Sequence, residues 1–286
     1  MLIISDLLVF LFSFFNAQKG FSIVINLCVN ENLKKHEEMK AHIIKKLMEI
    51  EASEGVRILF ACESGSRGWG FPSIDSDYDV RFIYIRKAED YTRLFPLPTE
   101  MRFPIIDDLD IAGWDLFKVL TLLYKSNVSP FEWIQSPVVY HEFNGFKISF
   151  RTMMENYFDA RRHVHHYLGI VRSKLGDLQL ETMKLKSLFY ILRSLLAADW
   201  SMTYRSYAPM TLAELSVVLP DVVMNEVMEL RQLKSQVDEG FIYSCSATIR
   251  SYIETRLIDL ENQVKQVPVS ISDKEGLEKY FKILLR

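Results

Sequence analysis

The sequence predicts a mixed α/β (α+β) fold, a small mixed sheet flanked by helices and followed by an all-helical region. Three observations predict it. Up to about residue 145, short β-rich runs alternate with helical patterns around one glycine-rich loop; from Phe146 onward the apolar periodicity is almost entirely helical. The 286 residues are 49% hydrophobic and 25% charged, enough apolar material for sizeable cores and incompatible with disorder as the main state. The expected organisation is an N-terminal extension over 1–38, an α/β unit over 39–145 and a helical unit over 146–286.

The extension carries a nine-residue apolar run, Leu7–Phe15, and a second, Phe21–Cys28. The first resembles a signal-peptide core, yet Asp6 precedes it, no Lys or Arg does, and no clear small-residue cleavage site follows. Nine residues are too few to span a bilayer as a helix, so stable membrane association is not expected. An irregular segment is expected here, with Met39 a candidate start of the folded chain.

Asn30–Ser53 reads as a helix, with Leu33, Met39, Ile43, Ile44, Leu47 and Ile50 at helical spacing and Gly55 as its stop. Val56–Cys62 is a β-rich run. Glu63–Ser76, with Gly65, Gly68, Gly70 and Pro72, is a loop with room for one helical turn. In Asp77–Ile85, Tyr78, Val80, Phe82 and Tyr84 alternate with Asp77, Asp79, Arg81 and Ile83, giving a strand with two distinct faces. Pro96 and Pro98 mark a turn, Arg102–Gly113 a strand or hairpin, and Asp115–Lys125 an amphipathic helix with Asp115 at its N-terminus. Helices are then expected over 150–175, 181–204, 211–217, 222–238, 241–264 and 273–284, punctuated by Pro209, Pro220 and Pro268.

The chemistry concentrates in Glu63–Arg81. Asp77 and Asp79 lie two apart on a strand and so point to one face. Carboxylates that close repel each other, and a hard divalent cation, Mg²⁺ or Mn²⁺, supplies the compensation with phosphate oxygens completing its shell. Gly65-Ser66, directly after a buried strand, can bring backbone N–H groups and a hydroxyl to a phosphate. A third acid is expected at the end of the next strand. Asp110 is the first candidate, Asp108 at i−2 on the same expected face the second, while Asp107 would point away. This layout suits in-line attack on an α-phosphate.

Gly65-Ser66, then Ser76-Asp77-Tyr78-Asp79, then a later strand acid resembles the DNA-polymerase-beta-type nucleotidyltransferase superfamily. The longer blocks ESGSRGWGFPSIDSDYDVRFIY, LDIAGWDLFKVL, SPFEWIQSPVVY, HHYLGIVRSK and MKLKSLFYILRSLLAADW, over about 56–215, are similar to a bacterial and phage group of the RNA-ligase-associated, RNA-repair type. The resemblance implies metal binding by Asp77, Asp79 and Asp110 and triphosphate contact by Gly65 and Ser66. Gly68 stands where the group often shows Ala, a minor departure. The region after about 216 matches no block of the group.

Other residues are open to two readings. Arg81 either binds phosphate or neutralises the acids beside it. Arg67 reaches a phosphate or lies on the surface, and Glu63 supports the site or is a strand-end acid. Lys186 and Arg193, two turns apart on one helix face, either hold β- and γ-phosphates or a nucleic-acid backbone, or are solvated; Lys184 precedes them. His163, His165 and His166 lack the companions of a tetrahedral zinc site, although His166 and Tyr167 fall in a matching block. Trp114, Trp133 and Trp200 read as core residues.

The formal charge of −3 excludes a chain-wide basic excess of the nucleic-acid-binding kind. Residues 147–206 nevertheless hold ten Lys or Arg against five Asp or Glu, a local excess suited to an anionic substrate. Cys28, Cys62 and Cys245 form no C-x-x-C pair and read as reduced thiols of a cytoplasmic protein. The expected activity is transfer of a nucleoside monophosphate from a nucleoside triphosphate to an acceptor hydroxyl, an RNA 3′ end first. The alternatives are AMP transfer onto a protein, transfer to a small molecule such as an aminoglycoside, and a non-catalytic nucleotide-binding module.

Overall fold

The computed structural model describes residues 34–270 and 272–286. The apolar runs of the N-terminal extension, Cys28 and Met1–Leu33 as a whole lie outside the described residues. Residues to Ile50 form one unit and Glu51–Arg286 another. The first helix (α1, 34–54) buries Ile43, Leu47 and Ile50, spaced i, i+4, i+7, and ends at Gly55, whose φ of +63° suits a left-handed stop. No helix among the described residues is long and apolar enough to cross a membrane.

The larger unit opens with β1 (Arg57–Glu63), a one-turn helix α2 (Gly65–Trp69), β2 (Tyr78–Ile85), β3 (Glu100–Arg102) and β4 (Leu109–Asp115). Two helices follow, α3 (Leu116–Tyr124) and α4 (Val128–Gln135), and then β5 (Val139–Glu142). The five strands form one mixed sheet in the order β3-β4-β2-β1-β5, in which β2 and β4 are parallel and the other neighbours antiparallel. The expected strand-or-hairpin over 102–113 resolves into two strands. Asp107 and Asp108, with φ of 51° and 61°, form the tight turn that closes Ile106 onto Leu109. Asp108 is therefore a turn residue and does not share a strand face with Asp110, as the sequence had suggested. Gly113 permits close packing in the sheet: a Cβ there would lie 2.2 Å from the Phe82 ring.

Asp115 caps α3 by accepting the Phe117 N–H at 2.8 Å, as the sequence predicts. α3, α4 and α5 (Phe146–Met154) cover one sheet face, burying Ile83 and Ile85 with Leu116, Val119, Phe131 and Phe150. Trp133 belongs to this core, and Trp114 packs on it at 4.2 Å between ring centroids.

The helix expected over 150–175 is two helices. Phe158 is extended, and Asp159 accepts the Arg162 N–H at 2.8 Å and so starts α6 (Ala160–Ser173) afresh. This cap sits inside an uninterrupted helical periodicity, which hides it. After α7 (Leu175–Gln179) comes α8 (Leu185–Tyr204), with most of its residues buried; α9 (Leu212–Leu215), α10 (Asp221–Lys234) and α11 (Ala247–Gln263) complete a second core with it and α6. One short ladder interrupts this helical region: β6 (Met183–Lys184) pairs with β7 (Ile242–Tyr243). The last helix, α12 (Lys274–Leu284), returns to the sheet's core and places Leu277 in it.

His163 is fully buried, ringed edge-on by Phe131 at 4.7 Å and Phe158 at 4.8 Å, and among the described residues neither ring nitrogen has a hydrogen-bond partner. Burial pushes its pKa down to about 3. Between that value and the ordinary 6.5 the unfolded chain binds the extra proton, so this residue costs stability as pH falls below about 6.5. His163→Leu removes both that cost and an unmade hydrogen bond worth about 1–3 kcal/mol. Urea melts are expected to show the variant at least as stable at pH 8, with its advantage widening by about 2 kcal/mol at pH 5.

Candidate active site

The parallel pairing of β2 with β4 sets Asp79 opposite Asp110 in register. Neighbouring residues of parallel strands point the same way, so both carboxylates leave the sheet on one face. On that face, farther along β2, Ile83 and Ile85 are roofed by helices; Asp79 and Arg81 stand at the uncovered start of the strand. Arg81 spans the two acids. One guanidinium nitrogen lies 3.0 Å from Asp79 Oδ1 and 2.7 Å from Asp110 Oδ2, and the other donates to the Asp110 carbonyl at 2.9 Å. These are the contacts expected of the neutralising reading of Arg81.

Asp77 is delivered by the turn before β2 and lies exposed beside this pair. Burial, then the charges of Glu239 and Asp108, raise its pKa. Burial also raises that of Asp79, against the pull of Arg81. In both, neighbouring acids add to the effect of burial. Among the described residues no three His, Cys, Asp or Glu side chains already converge as a closed metal cage. The donor set still fits a hard divalent cation, because Mg²⁺ keeps several waters and takes only one or two carboxylates plus substrate oxygens. Among the described residues His163 is enclosed by aromatic rings, and His166 is an exposed residue near Glu132 and Arg193.

Gly65 is demanded twice. Its φ is +59°, and a Cβ would lie 1.9 Å from Asp79 Oδ2, so the backbone of the Gly65-Ser66 turn rides directly against the acid. A Cβ at Gly68 would come within 2.8 Å of the Glu63 carbonyl and 2.7 Å of Met210 Cε, so only glycine fits here without a shift of its neighbours. Arg67 braces the turn rather than standing free: it donates to the Ser76 carbonyl at 2.7 Å and the Asp77 carbonyl at 3.1 Å, and lies over the Tyr78 ring.

Lys186, at the start of α8, reaches this side of the molecule. Its ammonium favours the ionised forms of Asp77 and Asp79 and pairs with Glu239. Arg193 is not brought there. It is 2% exposed, bonded to Glu132 at 2.7 Å and to the Met210 carbonyl, and stacked on Trp69. Seven residues on one helix face led from the acids into the core. Much of the basic excess over 147–206 is likewise spent internally, as Arg172 on Glu261 and Lys186 on Glu239.

Glu63 supports the site from beneath. It is 1% exposed; Oε1 accepts the Asp79 N–H at 2.8 Å and Oε2 accepts the Tyr140 hydroxyl. Tyr140 comes from β5, which the sequence reading left unassigned. The loop before Asp77 is held from far along the chain: Arg231 donates to the Gly70 carbonyl, Lys234 to Ser73 Oγ, and the Glu239 N–H to Asp75 Oδ1. No local pattern marks these residues, which lie more than 150 positions away from the motif they hold.

Burial raises the pKa of Glu63 to about 7 despite its two donors. A carboxyl with a raised folded pKa binds a proton that the unfolded chain has already lost, so stability falls as pH rises from about 4.5 to 7 and is level above. Glu63→Gln keeps the shape and is expected to flatten this slope by on the order of 2–3 kcal/mol, read from denaturant melts of the metal-free protein at pH 5 and 7.5.

With this geometry in view, comparison with known proteins is informative. A curated relative, uncharacterized protein YcgL of Bacillus subtilis (strain 168), is 41% identical over 201 residues, 70% of this chain and 74% of its own. A solved structure, the nucleotidyltransferase-like protein from Exiguobacterium sibiricum 255-15, aligns over 78% of this chain and 74% of its own at 13% identity and a TM-score of 0.26. The profile of the RNA repair pathway DNA polymerase beta family (RlaP) matches residues 39–282, well past the 56–215 stretch whose motifs carry the resemblance. By that match this chain belongs to the RNA repair pathway DNA polymerase beta family, a group of polymerase-beta-type nucleotidyltransferases.

Proposed function

We propose that the protein transfers a nucleoside monophosphate from a nucleoside triphosphate to the 3′ hydroxyl of an RNA, releasing pyrophosphate. The observation that carries the transfer reading is the in-register pair Asp79 and Asp110, with Asp77 beside it and Gly65 pressed against Asp79. The RNA acceptor rests on the family's RNA-repair description.

Asp77, Asp79 and Asp110 would hold Mg²⁺ or Mn²⁺. Bound there, the ion would supply Lewis acidity at the phosphate and lower the pKa of the attacking hydroxyl. The chain's own residues do the positioning. Gly65 lets the turn approach a phosphate as no side-chain-bearing residue could, and Ser66 offers a hydroxyl beside it. Lys186 contributes positive charge for the phosphate tail. Arg81 bridges Asp79 and Asp110 and favours the ionised form of Asp79. Glu63 fixes the Asp79 backbone through its N–H. In the reaction the acceptor oxygen bonds to the α-phosphorus as the α–β bridging bond breaks, and pyrophosphate leaves.

The test incubates each α-labelled nucleoside triphosphate with Mg²⁺ or Mn²⁺, short RNAs and cell lysate. Label on RNA with the wild type, reduced on the order of 10²–10³-fold in Asp77→Ala/Asp79→Ala and abolished by chelator, is the expected result. Label on protein instead would make the acceptor a protein hydroxyl. Nucleotide bound without transfer to anything would overturn the enzymatic reading.

A further inference from the structure

Lys186 is the cation that α8 carries to the acids, and in this structure its ammonium is held by Glu239, from the segment between α10 and β7. Glu239 is fixed on three sides. One carboxylate oxygen takes Lys186, the other accepts the Ser76 hydroxyl at 2.9 Å, and its own N–H donates to Asp75 at 2.9 Å. Around it the same two segments are joined by Ile74 N–H to the Val237 carbonyl at 3.3 Å and Lys234 to Ser73 at 2.7 Å. A carboxylate that receives an ammonium and a hydroxyl at the turn leading into Asp77 has the partners an anionic phosphate oxygen would seek there.

We propose that Glu239 is a built-in competitor for the phosphate tail of the nucleoside triphosphate: the incoming tail takes Lys186 from Glu239 and loosens 237–239 from the loop over 73–77. This rests on the reading of Lys186 as a phosphate-binding residue. An ammonium has three donors and could serve two anions, but charge opposes sharing. Glu239 is half-buried, and a triphosphate would add several negative charges beside it. The ion pair thus stores Lys186 in a defined position at the cost of some affinity.

Inorganic tripolyphosphate with Mg²⁺ is the probe, since it needs no knowledge of the base. Calorimetry is expected to show Glu239→Gln binding it about threefold to tenfold more tightly than the full-length wild type, the size of a half-buried ion pair. In the wild type, hydrogen exchange at 237–241 is expected to rise on binding; in Glu239→Gln it is already raised. Lys186→Met is the control for the underlying reading and is expected to bind more weakly than the wild type. If Lys186→Met loses affinity while Glu239→Gln binds as the wild type or more weakly, the competitor role is overturned and the phosphate role of Lys186 stands. If Lys186→Met binds as the wild type, the phosphate role itself falls, and the competitor role with it. Thermal melts of both variants separate these outcomes from unfolding.

Discussion

Two carboxylates set side by side by a parallel strand pair are the constraint around which the site is organised. Parallel pairing of β2 and β4 leaves Asp79 and Asp110 no choice but to share a face, and the uncovered start of the strands leaves them only partly hydrated. Such a pair must be compensated or protonated. Arg81 meets that need from within the same strand, two residues on, where the alternation of side chains returns to the same face. Its guanidinium reaches both carboxylates, at 3.0 and 2.7 Å.

The compensation extends outward in layers that come from distant parts of the chain. Glu63 and Tyr140 anchor the backbone of Asp79 from the sheet's interior. Arg67 closes the turn before Asp77, and α10 with the following segment holds that turn from outside through Arg231, Lys234 and Glu239. The loop leading into Asp77 is therefore tied at several points despite its glycines. The family match likewise runs through these C-terminal helices, to residue 282.

What could be read from the sequence follows the range of the interactions. The alternation over 77–85, the Gly-Ser turn and the capping acid Asp115 are local, set by periodicity and backbone chemistry, and the structure reproduces them. Asp110 is expected as an acid at the end of the next strand; the structure sets it near the start of β4, opposite Asp79. Asp108 was misplaced because the turn over 106–109, with two left-handed aspartates, is written in no hydrophobic pattern. The break at Phe158 was missed for a similar reason, since Asp159 caps a helix inside an unbroken apolar repeat. Arg193 looked equivalent to Lys186 by helical spacing, but spacing gives the face and not the depth. Depth is set by what the helix packs against, and burial against Glu132 and Trp69 decides it. Glu239 and Tyr140 were invisible, because their roles depend on contacts across most of the chain.

The residues that break the usual rules of a core gather around the acids and the junction of the two cores. Glu63 is a buried acid whose burial opposes its ionised form, and Lys234 is a buried cation whose pKa burial lowers. Neither is favoured by desolvation, and an apolar residue of similar size would cost less at either position. Each, however, fixes a backbone or hydroxyl that positions the acidic turn, which an apolar residue could not do. Stability given up in this way is the usual signature of a site shaped by geometry rather than by packing. Glu63, which opens the ESGSRG block, holds the start of β2, and Lys234, outside every block, holds the loop before it.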